Sequence, residues 1–305
     1  MADIKMAAGD RLDTKFLLSG RVKIAGFDIA FHNPGFAPFP TFRENVTTLP
    51  YDVGELTIVN YIVARDHGVP IIGLPVIPDL FFPLTGVTVN KNAGINSPRD
   101  LAGKRVGTEP GYASNPAVWL RGILVHHYDV SAESITWVEG ESDSLADIPY
   151  TRSARYKIEK GADLAGMLSG GELDALIGAG GAARPLGNVE RLVTDPYPIL
   201  KRYFDSTGVF PINTMLIIKQ DSVTKYPGLA DAVIAAFQEA RALYGAEEPD
   251  DGLAQGLRVG ELRKLGLFPR KHGLDVHGGT VRMAVQYLYE QGLIRRLWTL
   301  EELFV

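Results

Sequence analysis

The chain has 305 residues, of which 46% are hydrophobic and 22% charged, and its formal net charge at pH 7 is -5. Such a composition excludes a disordered chain, because it supplies enough apolar surface for one or two packed cores. The lack of cysteine excludes disulfides, thiol nucleophiles and thiolate metal ligands. No run of Lys and Arg stands out, which argues against a nucleic-acid partner.

The apolar runs of the chain are the length of strands. Val69–Ile77 and Leu216–Ile218 are typical, and both are far shorter than the roughly 18 residues of a membrane helix. The first ten residues, Met1–Asp10, have no apolar segment of the kind found in secretory signals. We therefore predict a cytoplasmic protein with no membrane partner, and we leave its oligomeric state open.

The first ninety residues alternate between strand-like and helix-like patterns. The predicted helices are a turn at Thr14–Ser19, part of Phe39–Thr47, and Ile58–Asp66. The predicted strands are Ile4–Ala8, Phe27–Phe31, Tyr51–Val53, Val69–Pro75 and Gly86–Val89.

The middle of the chain opens with a helix-start signal, in which Ser97 precedes Pro98 and Asp100 follows. An amphipathic helix is then predicted from Pro116, because apolar residues recur there at helical spacing. The other elements predicted in this region are strands at Arg105–Gly107, Ile135–Val138 and Ala175–Ile177 and a helix at Ala162–Leu168.

After an apolar, β-branched stretch at Thr207–Lys219 the chain has an almost wholly helical pattern. The helices predicted there are Gly228–Tyr244, Leu253–Leu265, Thr280–Gln291 and Leu300–Leu303. The alternation as a whole predicts an α/β protein with a largely parallel sheet.

The strongest local signal for a binding site is Gly107–Pro116, where a strand, a loop of small residues and a helix start follow one another. The free N–H groups and the dipole of a helix start favour an anion at this place. Ser114 and Asn115 either cap the helix or bind a ligand, and the pattern fits both. Gly111 and Tyr112 belong to the same loop and are predicted to contact the ligand.

A second group of candidates follows predicted strands. His32 lies in the loop after Phe27–Phe31, and such loops form ligand sites in open α/β sheets. Glu55 and Thr57 come just after Tyr51–Val53, and they either mark a helix start or face a ligand.

The glycine-rich run Gly178–Ala183 is similar to a dinucleotide-binding loop. Arg184 and Pro185 follow at once and prevent the long helix that such a loop requires. We therefore expect a tight turn at a ligand site, with Gly180 in it, and no nucleotide. The six His residues show no metal-ligand spacing, so no metal is expected.

Several runs of the sequence resemble a known superfamily. Asp100–Gly107 reads DLAGKRVG and is similar to the DLKGKRVG that opens the second lobe of type II periplasmic-binding-protein folds. Tyr51–Thr57, Ala117–Leu124, Phe210–Ile212 and the tail Glu290–Phe304 occur in the order seen in the 4,5-dihydroxyphthalate decarboxylase group of that superfamily. The resemblance spans nearly the whole chain.

The resemblance implies a two-lobed α/β fold that closes on a ligand in the cleft between its lobes. The lobes would be Met1–Asn90 together with Asp205–Val305, and Lys91–Phe204. It also implies an enzyme that decarboxylates an aromatic diacid, although other members of the superfamily are transport receptors or precursor-synthesis proteins.

By position, Glu55 matches a Glu of the group and Thr57 matches its nearby Ser. Arg121 matches an Arg that is either functional or structural, and Arg43 matches more loosely.

The chain departs from the group at two places. Asp79–Leu84 stands where the group carries Arg and His, and Asn213 and Thr214 follow Phe210–Ile212 where the group tends to have His. The fold therefore transfers to this chain better than the substrate does.

Together these observations predict a cofactor-independent decarboxylase of a hydroxylated aromatic, phthalate-like acid, with His32 or Glu55 as proton donor. The alternative is a non-catalytic solute-binding or sensing protein for a small carboxylate. The residues predicted to contact the ligand are Arg11, Thr57, Gly111, Tyr112, Ser114, Asn115, Gly180 and Asn213.

Overall fold

A computed structural model describes residues 4–35, 39–109, 111–140, 145, 147–150, 157–161, 163–178, 187–254 and 256–305. Its strands, in chain order, are β1 (Ile4–Ala7), β2 (Ile29–His32), β3 (Val53–Thr57), β4 (Ile71–Gly73), β5 (Asp79–Leu80), β6 (Val87–Asn90), β7 (Arg105–Thr108), β8 (Thr136–Glu139), β9 (Lys157–Lys160), β10 (Ala175–Ile177), β11 (Val189–Arg191), β12 (Ile212–Lys219), β13 (Leu253–Ala254) and β14 (Leu257–Arg258). Its α-helices are α1 (Thr14–Leu18), α2 (Phe39–Glu44), α3 (Ile58–Asp66), α4 (Asn115–Tyr128), α5 (Leu164–Gly170), α6 (Tyr197–Thr207), α7 (Gln220–Lys225), α8 (Leu229–Glu247), α9 (Val259–Lys264), α10 (Leu274–Glu290) and α11 (Leu300–Leu303).

The chain divides into two compact units. The first comprises Met1–Phe81, Gly208–Met283 and Trp298–Val305, and the second comprises Phe82–Thr207 and Ala284–Leu297. The predicted lobes differ from these units at residues 82–90, 205–207 and 284–297.

The first unit is built on a six-stranded sheet in the order β2-β1-β3-β12-β4, with β5 paired to β12. β1 is parallel to β2 and β3, whereas β12 is antiparallel to β3, β4 and β5. Met6, Leu216 and Ile218 belong to its core, together with Phe237 of α8. These buried apolar side chains hold the strand ends that carry the candidate residues.

The second unit contains another six-stranded sheet in the order β11-β6-β10-β7-β8-β9. β7, β8, β9 and β10 are parallel neighbours, and β6 is antiparallel to β10 and β11. Val138, Leu164, Leu168 and Leu176 pack into its core. The loop between β7 and α4 leaves this sheet at the carboxyl end of β7, where open α/β sheets place ligands.

The fold differs from the sequence expectations in three respects. The class is α/β as predicted, but both sheets are mixed rather than largely parallel. Glu55 lies within β3 and not after a strand, because β3 begins two residues later than predicted and extends to Thr57. The helix predicted at Leu253–Leu265 is wrong in its first half, where β13 and β14 pair as an antiparallel hairpin before α9 begins.

No helix among the described residues is both long and apolar enough to cross a membrane.

Candidate functional site

The first candidate is the loop that joins β7 to α4 in the second unit, which we call the anion loop (Thr108–Asn115, except residue 110, which the structure does not describe). The backbone N–H of Gly111 donates to the carbonyl of Thr108 at 3.1 Å, and that of Ser114 donates to the carbonyl of Gly111 at 3.2 Å. Gly111 has φ +90°, a value that a residue with a Cβ rarely adopts. The loop is therefore a compact turn that depends on glycine at this position.

Two buried hydroxyl groups of the anion loop have no hydrogen-bond partner among the described residues. Ser114 is the N-cap residue of α4, yet its side chain makes no capping bond, and its Oγ is unpartnered although the residue is only 6% exposed. The Oγ1 of Thr108, at the end of β7, is buried and unpartnered in the same way. Buried hydroxyls are normally paired, and a helix start favours negative charge, so a ligand carboxylate suits this place.

Arg121 is buried behind the anion loop and holds its backbone in place. Its Nη2 donates to the carbonyl of Tyr112 at 2.7 Å, and its Nε donates to Oε1 of Gln291 at 2.7 Å. Its guanidinium lies 4.1 Å from the centre of the Tyr112 ring and 5.2 Å from that of Trp137. Of the two alternatives for Arg121, this geometry favours the structural one.

A carboxylate close to the anion loop is balanced by a lysine. Oε2 of Glu139 accepts a hydrogen bond from the N–H of Tyr112 at 3.1 Å, and its Oε1 lies 2.7 Å from Nζ of Lys160. Because the two charges offset each other, Glu139 opposes a bound anion less than a lone carboxylate would.

The second candidate lies in the first unit, and we call it the acid cluster (Arg11, Glu55, Asp79, Asn213 and Thr214). Nε of Arg11 donates to Oε1 of Glu55 at 2.7 Å and lies 4.0 Å from Oδ2 of Asp79. Nδ2 of Asn213 donates to that same Oδ2 of Asp79 at 2.6 Å. Glu55 also accepts the N–H of Gly9 at 2.7 Å.

Strand register explains why these side chains meet. Thr214 of β12 is paired with Asp79 of β5 on one side and with Thr57 of β3 on the other. Leu216, two residues along β12, is paired with Glu55. Since side chains alternate along a strand and paired residues share a face, Glu55, Thr57 and Thr214 lie on one face of the sheet. The pairing of β12 with β5 shifts register between Ile212 and Thr214, and the side chain of Asn213 reaches Asp79 at this irregularity.

Asp79 is the most perturbed acid of this cluster. Its burial raises the pKa, and the charge of Glu55 adds to that effect, while Arg11 and the hydrogen bond from Asn213 lower it; the result is a pKa of about 6. Its Oδ1 is buried and has no hydrogen-bond partner among the described residues, and the same holds for Oγ1 of Thr214. The acid cluster thus contains an acceptor and a hydroxyl that a ligand could pair.

A buried ion pair supports the segment that leads into Asp79. Nε and Nη2 of Arg241 donate to the two carboxylate oxygens of Asp13 at 2.8 and 2.5 Å, and Nη2 also donates to the carbonyl of Ile77 at 2.9 Å. The N–H of Ile77 in turn donates to Nδ1 of His272 at 3.0 Å. These bonds fix the backbone two residues before Asp79.

The predicted residues of the first unit have mixed outcomes. Arg11 and Asn213 do meet in one cluster with Glu55, but the guanidinium of Arg11 is paired with a carboxylate. Thr57 caps α3, because its Oγ1 accepts the N–H of Asn60 at 3.1 Å. His32 is exposed and stacks on Tyr51 with ring centres 5.5 Å apart, and no contact among the described residues joins it to the acid cluster.

In the second unit the structure brings together Gly111, Tyr112, Ser114 and Asn115 in the anion loop, with Asn115 as the first residue of α4. Tyr112 is wholly buried under Arg121. Gly180 lies outside the described residues. Their roles in binding stay predictions.

Asp79 and Thr214 are the residues that sequence reasoning missed as members of a site. A signal for Asp79 was available, since it is an acid in the apolar run Pro75–Leu84. Such an acid is either exposed at the edge of a sheet or buried with a structural or functional role. Within the described residues, His, Asp and Glu form no group of three that could hold a metal ion.

Two cap residues offer a direct test of this description. We expect Thr57→Val to lower the free energy of unfolding by about 1 kcal/mol, because it removes the acceptor of a capping bond. We expect Ser114→Ala to lower it by less than about 0.5 kcal/mol, because Ser114 makes no such bond. Urea unfolding followed by circular dichroism measures both, and equal losses would show that Ser114 caps α4 in solution.

Comparison with solved structures defines the fold. The periplasmic aliphatic sulphonate binding protein SsuA from Escherichia coli matches with a TM-score of 0.60 over 99% of this chain and 96% of that chain, at 16% sequence identity. The predicted type II periplasmic-binding-protein-like fold is thereby confirmed.

Sequence comparison then identifies the family. The family described as NMT1/THI5 like matches residues 44–153. A 4,5-dihydroxyphthalate decarboxylase from Comamonas testosteroni is 31% identical over 255 residues, which are 79% of this chain and 75% of that protein. One from Pseudomonas putida is 34% identical over 185 residues, 58% of this chain and 70% of that protein. The chain belongs to the 4,5-dihydroxyphthalate decarboxylase family.

Proposed function

We propose that this protein is a cofactor-independent decarboxylase of a hydroxylated aromatic, phthalate-like acid. Its 31% identity to a 4,5-dihydroxyphthalate decarboxylase over most of both chains carries the proposal. The anion loop supports it, since the unpartnered hydroxyl of Ser114 stands at the start of α4, that of Thr108 stands at the end of β7, and each can donate to a carboxylate.

The reaction needs a proton at the ring carbon that bears the leaving carboxylate. The ring, made electron-rich by its hydroxyl groups, takes up that proton; the bond to the carboxyl carbon then breaks, its electron pair returns to the ring and CO2 leaves. A carboxylate and a proton are thus converted into a C–H bond and CO2. The second carboxylate stays on the ring.

The two predicted proton donors differ in their surroundings. Glu55 already accepts hydrogen bonds from Gly9 and Arg11, so it is arranged as an acceptor. His32 has an exposed ring at the end of β2 and carries the donor role in this proposal.

Incubation of the purified chain with 4,5-dihydroxyphthalate labelled with 13C in its carboxyl groups tests the proposal. We expect labelled CO2 in the NMR spectrum, and a KM about 10-fold higher for Ser114→Ala, which loses one hydrogen bond to a charged group. Phthalate, which lacks the hydroxyl groups, serves as the substrate control and should release no CO2. Tight binding of the dihydroxy acid without any release would contradict the proposal.

That contrary outcome would support the alternative, a non-catalytic protein that binds or senses a small carboxylate. Asp79 and Asn213 favour it, because they stand where the family resemblance implies basic residues. A cytoplasmic location, which cell fractionation can test, is part of the decarboxylase proposal.

A further inference from the structure

We propose that the acid cluster recognises the ring hydroxyl groups of the substrate, with Asp79 and Thr214 as the specificity-determining residues. This inference rests on the proposed function, because it concerns the substrate of the same reaction. It explains why an aromatic acid with hydroxyl groups would be bound in preference to one without them.

The charged groups around Asp79 disfavour a carboxylate at this place. Among Arg11, Arg241, Asp13, Glu55 and Asp79, two guanidinium groups face three carboxyl groups. Arg11 is in contact with Glu55, and Arg241 is bonded through both carboxylate oxygens to Asp13. With Asp79 ionised, one negative charge is left over, so a ligand anion is repelled while a neutral hydrogen-bond donor is not.

The unpartnered atoms indicate what kind of group belongs there. Asp79 is 2% exposed and Thr214 is 1% exposed, and their Oδ1 and Oγ1 have no partner among the residues that the structure describes. An ionised carboxylate only accepts hydrogen bonds, and a threonine hydroxyl accepts or donates. The two residues are cross-strand partners beside a register shift between β12 and β5, and we assign to them the two neighbouring hydroxyl groups of one aromatic ring.

Such binding would also promote the reaction. In 4,5-dihydroxyphthalate each hydroxyl group is para to one ring carbon that carries a carboxylate. A hydroxyl that donates its proton toward Asp79 releases electron density from its oxygen into the ring, and that density accumulates at the para carbon. The carbon is then protonated, its bond to the carboxyl group breaks, and CO2 leaves as described above.

Isothermal titration with three ligands measures the recognition directly. Phthalate lacks the hydroxyl groups, and 4,5-difluorophthalate fills similar space without donating. We expect the wild-type protein to bind 4,5-dihydroxyphthalate about 10- to 100-fold more tightly than either, the range for a hydrogen bond to a charged acceptor. Asp79→Asn should bring these ratios close to one, and Thr214→Val should reduce them in part.

Two matched variants control for indirect effects. Asp52→Asn removes a different buried carboxyl group of the first unit, and Thr41→Val removes a different buried hydroxyl. Both should leave the ligand ratios unchanged. Should Asp79→Asn not fold, Thr214→Val carries the test.

The outcomes separate this inference from the proposed function. Ratios that persist in both Asp79→Asn and Thr214→Val overturn the inference, even where the wild-type protein releases CO2. Ratios that collapse in these variants while the wild-type protein releases no CO2 support hydroxyl recognition and reject the decarboxylase.

Discussion

Replacing Arg241 with Met should lower the free energy of unfolding by about 3–5 kcal/mol at pH 7, the usual loss when one partner of a buried ion pair is removed. Arg241 bonds to both carboxylate oxygens of the wholly buried Asp13 and to the carbonyls of Ile77 and Arg270. Without Arg241 the carboxylate of Asp13 keeps only the ring of His272, whose Nε2 lies 3.3 Å from Oδ2 and carries a charge only when it is protonated. Urea unfolding at pH 7 measures the loss.

The loss should shrink as the pH falls. Burial by itself would raise the pKa of Asp13, but Arg241 and His272 outweigh it and hold that pKa below its ordinary value. In the wild-type protein this pair therefore contributes stability above the ordinary aspartate pKa and loses it on acidification. In Arg241→Met the largest effect that lowers this pKa is gone, so Asp13 takes up a proton at higher pH than in the wild-type protein. The free energies of unfolding of the two proteins therefore converge as the pH falls.

A matched arginine supplies the control for this prediction. Arg21 bonds to Glu247 through two hydrogen bonds of 2.9 and 2.7 Å, but both side chains are exposed. Arg21→Met should therefore cost far less stability than Arg241→Met, because solvent screens an exposed ion pair. A further double variant, Asp13→Asn with Arg241→Met, should be more stable than Arg241→Met alone. Similar losses for Arg241→Met and Arg21→Met would refute the account of the buried pair.

Asp79→Asn should be more stable than the wild-type protein at pH 8, by about 3 kcal/mol. The pKa of Asp79 rises from its ordinary 3.8 to about 6 in the folded chain, and each unit of difference corresponds to about 1.4 kcal/mol. Because the folded-state pKa is raised, the stability that this group contributes is present below pH 3.8 and is lost as the pH rises through 6. Asparagine does not ionise and retains an oxygen that can accept from Asn213.

Urea midpoints at pH 4.5, 5.5, 7 and 8 test this prediction. The advantage of Asp79→Asn should grow through this series and level off above pH 7. Asp52→Asn is the control, because the pKa of Asp52 is shifted in the opposite direction. Burial alone would raise that pKa, but hydrogen bonds from Lys5 and Ser222 and the charge of Lys219 lower it. Asp52→Asn should therefore lose stability relative to the wild-type protein as the pH rises. Parallel curves for Asp79→Asn and the wild-type protein would disprove the raised pKa.

Both predictions concern residues that become important only in the folded chain, yet much of the local structure could be read from the sequence. Helix α3 was predicted at Ile58–Asp66 and observed there, because Thr57 caps its start and its apolar residues continue to a glycine. The turn before α4 was predicted from its glycine and small polar residues. The family resemblance, confirmed by sequence comparison, also led to the correct fold class.

Local signals were misleading where strand pairing decides the structure. Leu253–Leu265 has a helical pattern, but its first residues pair as the short hairpin of β13 and β14, a choice that depends on contacts beyond the segment. β3 was predicted too early along the chain, and its position is set by pairing with β1 and β12.

By itself, the sequence determined the α/β class, the start of α3 and the anion loop, since each of these depends on residues that are neighbours in the chain. Only the tertiary structure decided that Ser114 leaves its hydroxyl unused and that Arg11 is bound to Glu55. It also decided that Asp79, 134 positions from Asn213, would be buried beside it with a raised pKa. Burial and long-range hydrogen bonds decide whether a polar group is protonated and whether its donors and acceptors are paired. These two properties cannot be predicted from the residues on either side of the group in the sequence.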